Sequence, residues 1–185
     1  MEISSALLVA MMFVVLLSIG IGNILMSLAA MVDRRSPVTA SRMHISWTVL
    51  LLLVYFSLFW HTLDFLSVEE WNFGEFLYVI LGPVLILFAS QVLLPNSSST
   101  DAGELNERYF EVSRPFFLLL AASQIWVNGV DLILGGGLTR SGGINGVAMV
   151  FALILAFSHN RTVHLLLTIA MWLLFLIVWA VQGLG

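Results

Sequence analysis

Residues His44 to Leu66 read HISWTVLLLLVYFSLFWHTLDFL, an apolar run whose only formal charge is Asp64. As an α-helix rising about 1.5 Å per residue, the run is long enough to cross the roughly 30 Å hydrocarbon layer of a bilayer. Backbone N–H and C=O groups find no water in that layer, and a helix satisfies them within itself. The run therefore reads as a membrane span. Its polar residues are ordered: Ser57, His61 and Asp64 fall at i, i+4 and i+7, which puts them on one helix face.

Five further apolar segments flank this one, at 6–32, 75–94, 115–134, 144–157 and 163–181. Hydrophobic residues make up 60% of the chain and charged residues 10%, and the mean hydropathy is +1.03. Soluble domains are roughly half apolar and a quarter charged. The expected fold is all-α: a polytopic transmembrane bundle of six helices forming a single domain over residues 1–185. The first segment is preceded by Glu2 rather than basic residues and is too long for a cleaved signal peptide, so it is expected to remain as a helix. Cysteine is absent, which excludes disulfides, thiolate metal sites and cysteine nucleophiles. Lysine is absent too, which excludes Schiff-base chemistry. A net charge of −4 gives no sign of a nucleic-acid partner.

The fourth segment repeats the polar ladder of the second. Gln124, Asn128 and Asp131 stand at i, i+4 and i+7, again closing on an aspartate. Aligning the two sets Phe59 against Trp126, and Arg42 and Arg114 each stand near the start of their helix. Arg161 and His164 open the sixth segment much as Arg42 and His44 open the second. The pattern fits three helical hairpins related as parallel repeats. In the third segment Gly82-Pro83 predicts a kink at Pro83, because proline frees the carbonyl of Val79.

The polar segment 95–113 separates the third and fourth spans. Asp101 with Glu104 resembles a helix-start pattern, and Leu105, Tyr109 and Val112 form an apolar stripe. A surface amphipathic helix over 101–112 is the plain reading. Arginines concentrate in the first, third and fifth connections: Arg34, Arg35, Arg42, Arg108, Arg114 and Arg161, against Arg140 alone opposite. The positive-inside rule then puts both termini outside. On the outer side lie Glu2, Asp64, Glu69, Glu70, Glu75 and Asp131, an acidic face that attracts cations. Asp64 and Asp131 would meet the negative ends of their helix dipoles, a cost of roughly 0.3–1 kcal/mol. His61 is placed to offset it for Asp64, and Asn128 or Arg140 for Asp131.

Gly82-Pro83, Leu93-Leu94-Pro95, Tyr109-Phe110 and Arg114-Pro115-Phe116-Phe117 resemble the pattern of a group of uncharacterised bacterial multi-pass inner-membrane proteins. The likeness covers roughly residues 44–120. It implies a location in the bacterial inner membrane, and no activity comes with it.

Polar residues inside membrane spans face a bundle interior or cavity. Interhelical hydrogen bonding is the plain role for the two ladders; a cation, proton or ligand pathway is the sharper one. The expected function is a small channel or transporter for a cation or proton, with His61, Asp64, Asn128 and Asp131 lining an acidic outer vestibule. Membrane lipids surround it, and a homo-oligomer is expected because so short a chain encloses little space. The alternative is a non-catalytic accessory subunit or sensor whose 101–112 helix binds a membrane protein partner. No catalytic, cofactor or metal motif of the HExxH, Glu-x-x-His or serine-elbow kind is present, so an enzyme is not expected.

Overall fold

The computed structural model describes residues 4–32, 41–68, 70–94, 102–134 and 140–183. Six α-helices account for almost all of them: α1 (Ser5–Val32), α2 (Arg42–His61), α3 (Phe73–Leu93), α4 (Ala102–Ile133), α5 (Arg140–Phe157) and α6 (Arg161–Gly183). A 3-10 segment, Thr62–Ser67, follows α2. Among the described residues there is no strand. Five of the helices are long and apolar enough to cross a membrane, and α5 is a shorter apolar helix over Gly143–Phe157. The chain is an all-helical membrane protein.

The helices start where short polar side chains can take up free N–H groups. Ser41 Oγ accepts from His44 N at 3.2 Å, and Asn160 Oδ1 from Thr162 N at 2.9 Å. At α3, Asn72 and Glu75 form a reciprocal capping box, with Glu75 N to Asn72 Oδ1 at 3.0 Å and Asn72 N to Glu75 Oε2 at 3.2 Å. That box starts α3 two residues earlier than the apolar run alone suggests.

Neighbour relations close the helices into a ring. Going round, α1 packs on α3, α3 on α4, α4 on α5, α5 on α6, α6 on α2, and α2 back on α1. The α3–α4 side is locked by reciprocal bonds: Trp126 Nε1 donates to the Tyr78 carbonyl at 2.8 Å, and Tyr78 Oη donates to the Trp126 carbonyl at 3.3 Å. Each ring lies over a glycine of the other helix. A Cβ on Gly82 would run into the Trp126 indole, and one on Gly129 into the Tyr78 phenol. Small residues at membrane helix contacts permit such approach, which strengthens dispersion where no hydrophobic effect separates helix from lipid. Gly20 of α1 serves Tyr55 of α2 in the same way, whereas a Cβ on Gly22 would meet open space.

Two boundaries differ from the sequence reading. The surface helix expected over 101–112 is instead the first third of α4, which runs unbroken through Pro115 to Ile133. Tyr109, Ser113, Phe116, Phe117 and Leu120 are all buried and continue one another at i, i+4, i+7, i+8 and i+11. The stripe thus stays in phase across the proline, and packing along it holds the helix together. Pro115 and Glu111, whose carbonyl loses its partner, are both exposed. The second difference is that α2 ends at His61, so Asp64 lies in the 3-10 segment rather than in an α-helical last turn. Asp131 stays within α4. The aligned pair Phe59 and Trp126 also differ, one exposed and one buried.

Candidate functional site

The ring encloses a cavity of about 570 Å³, with lining residues from all six helices and the 3-10 segment. On α2 the lining runs from Trp47 to His61, a length of roughly 20 Å at helical rise. Both polar ladders reach it: Ser57, His61 and Asp64 from one side, Gln124 and Asp131 from the other. The aspartate-ended faces therefore meet on one space, although α2 and α4 are not neighbours in the ring. Asn128, the remaining ladder residue, stands behind the wall; its Oδ1 accepts from Asn145 Nδ2 at 3.3 Å, and Asn145 lines the cavity. Pro83 is buried inside a continuous α3 and is not part of the lining.

The lining is graded. Exposed and half-exposed members gather at the aspartate end, where His61, Asp64, Asp131, Leu134, Asn145 and Val178 form the mouth. Deeper in, Phe13, Trp47, Leu50, Leu51, Ile86, Leu120, Trp126 and Met171 are all buried and apolar, with Ser123 among them. The mouth carries two carboxylates and an imidazole, and among the described residues the lining contains no arginine. His61 Nδ1 and Asp64 Oδ2 are 3.0 Å apart. The change from α to 3-10 winding after His61 favours this contact, since three residues per turn bring i and i+3 into line. Ser67 Oγ donates to the Asp64 carbonyl at 2.6 Å and steadies the same turn.

At the arginine end the cavity stops against an aromatic and histidine cluster. Trp47 stacks edge-on to Phe117 and Phe116, with centroids 4.9 and 5.6 Å away. Tyr109 Oη and His164 Nδ1 are 3.0 Å apart, and His164 Nε2 lies 2.9 Å from the Ser158 carbonyl. A carbonyl only accepts, so Nε2 carries the hydrogen and Tyr109 donates to Nδ1 of the neutral ring. His44 follows the same logic, with Nε2 donating to the Leu93 carbonyl at 2.8 Å. Its Nδ1 is buried without a partner. The cluster joins α2, α3, α4 and α6 at one level and closes the floor.

The sequence had pointed to both ladders but not to Asn145, the two cavity tryptophans or the Tyr109–His164 pair. The matched Arg42/His44 and Arg161/His164 starts were the available signal for the last, since two helices entering side by side with a histidine in the first turn can share a partner. Among the described residues no group of three or more His, Asp or Glu side chains is placed to share a metal ion. No protein-family model, curated protein or solved structure matches the chain.

Proposed function

We propose that the protein binds, and carries within the membrane, an amphiphilic cation: a molecule with a positively charged or strongly hydrogen-donating head and an apolar body. The observation that carries this reading is the meeting of two aspartate-ended faces at the mouth of a cavity whose deeper wall is apolar and aromatic. Ligand sites of several hundred Å³ with apolar walls and a few converging polar groups are the common pattern for small molecules. Here the polar groups are acidic, and the buried faces of Trp47 and Trp126 favour cationic or polarisable bodies. The reading keeps the cation preference expected from the acidic vestibule but replaces a hydrated ion or proton with a larger ligand. An aqueous path would need polar side chains continuing through the bundle, and beyond Ser57, Ser123 and Gln124 the described residues of the wall are apolar or aromatic. We place the protein in the bacterial inner membrane, as the resemblance implies, and set both termini and the aspartate end outside on the strength of the arginine distribution. The partner-binding alternative is weaker, because the Tyr109 face that would dock a partner is occupied within the chain.

The test compares an alkyltrimethylammonium with its neutral tert-butyl isostere, measured by equilibrium dialysis against the purified protein. The cation is expected to bind at least about tenfold more tightly, equivalent to about 1.4 kcal/mol. Changing Asp64→Asn and Asp131→Asn together removes that preference while leaving affinity for the neutral isostere. Equal binding of the two ligands by the unaltered protein would sink the reading.

A further inference from the structure

Helix α6 is held differently from the rest of the ring. It packs chiefly on α5 and α2, and meets α4 through His164. Its bonds to other helices fall in one stretch: His164 to Tyr109 at 3.0 Å, Thr168 to Trp47 Nε1 at 3.0 Å, and Trp172 Nε1 to Ser46 at 2.8 Å. Among the described side chains, α6 makes no hydrogen bond beyond Trp172. Only 17% of its span is buried, against 28% or more for each of the other four membrane-crossing helices. It is fastened at the arginine end and loose toward the aspartate end.

The cavity extends along the loose half of α6. Leu174, Phe175 and Val178 line it from α6, and Val54, Leu58 and His61 line it from α2. The two helices run the same way, so along this length they stand on either side of the cavity instead of interlocking. The outer surfaces flanking the seam are apolar: Phe56 and Trp60 on α2, and Leu176 and Trp179 on α6, are all exposed. The opposite side of the ring has no such freedom, because the Gly82–Trp126 and Gly129–Tyr78 contacts join α3 to α4.

We propose that the α2–α6 seam is a side door, so that the ligand reaches the cavity from the bilayer and is itself a membrane-resident amphiphile. This rests on the reading of the cavity as an amphiphilic-cation site. The apolar body slides between α2 and α6 while the charged head travels at the level of His61 and Asp64, so neither end crosses an environment unlike its own. The free half of α6 moves outward to admit it, hinging near Trp172.

The chain contains no cysteine, so a pair can be introduced cleanly. The Ser46–Trp172 bond sets the register of the two helices, and seven residues, about two turns, further along each it is Leu53 and Trp179 that face one another. Leu53 is partly exposed, Trp179 is exposed, and neither lines the cavity. The protein with Leu53→Cys and Trp179→Cys is reconstituted in liposomes and joined by a flexible bis-maleimide carrying a reducible link. Accumulation of label on cavity peptides is then followed with a diazirine-bearing long-chain alkyltrimethylammonium supplied in the bilayer. Joining the helices is expected to slow labelling at least tenfold, reduction of the link to restore it, and mono-maleimide treatment to leave it unchanged. Undiminished labelling of the joined protein overturns the door while leaving the binding site standing. A short-chain, water-soluble analogue that labels as fast as the long-chain probe, joined or not, overturns the bilayer origin. No cavity labelling even in the unjoined protein overturns the site itself and the door with it.

Discussion

Gly82 and Gly129 sit beneath aromatic rings that leave no room for a side chain. Gly82→Ala is expected to destabilise the protein by about 1–3 kcal/mol, the usual range for overpacking. The fall in thermal midpoint in detergent should exceed that of Gly22→Ala, whose position is open. Tyr109→Phe removes the donor to His164 Nδ1 and leaves another buried ring nitrogen unpaired, as those of His44 and Trp71 are. An orphaned buried acceptor costs about 1–3 kcal/mol, and the same thermal assay reads it. His61→Ala should behave in the opposite way. The His61–Asp64 pair is about half exposed, and such pairs are worth about 0–1 kcal/mol. Stability should therefore barely move while cation affinity changes. These residues divide sharply in how legible they were. The ladders announced themselves because a polar residue in an apolar run is conspicuous, whereas a glycine under a ring in another helix looks like any other glycine.

At the scale of elements, α4 is the instructive case. Ser113-Arg114-Pro115 resembles a helix start, and the acidic stretch before it resembles a separate surface helix. Local chemistry pointed to two helices, while the buried stripe from Tyr109 to Leu120 needed one, and packing over five buried positions outweighed a single lost backbone bond. Pro115→Ala restores that N–H at an exposed position and is expected to leave the thermal midpoint unchanged or raise it. A fall would argue that the proline serves a bend. The capping box at Asn72 and Glu75 was legible in principle as Asn-x-x-Glu ahead of an apolar run, but the charge of Glu75 made it look like the helix edge. Helix identity was readable throughout because each span must satisfy its own backbone in lipid. The ends were not, because they are set by single side chains and by the neighbours a helix finds.

For the molecule as a whole, the sequence carried the number of helices but not their order around the ring. The two ladders face one cavity because α1, α3, α5 and α6 hold α2 and α4 apart beyond their contact at Trp47 and Phe117, and contacts between distant segments leave no periodic trace in a chain. The expectation of a homo-oligomer rested on one copy enclosing too little space, yet a single chain encloses about 570 Å³. Each chain should therefore bind its own ligand whatever the assembly, and native mass spectrometry is expected to give one bound cation per protein chain. A half-occupied limit would mean that the site lies between copies.

The closed floor at the arginine end has a consequence for direction. Trp47, Tyr109 and His164 are bonded or stacked across three helices at the level where the cavity ends. On the proposed reading, that seal confines a bound molecule to exchange with one leaflet and makes the cavity a receptacle. Net movement to the opposite leaflet requires a second arrangement in which the tyrosine and the indole trade their present partners for others. The rate at which those two hydrogen bonds break together then sets the speed of any crossing, however quickly the mouth fills.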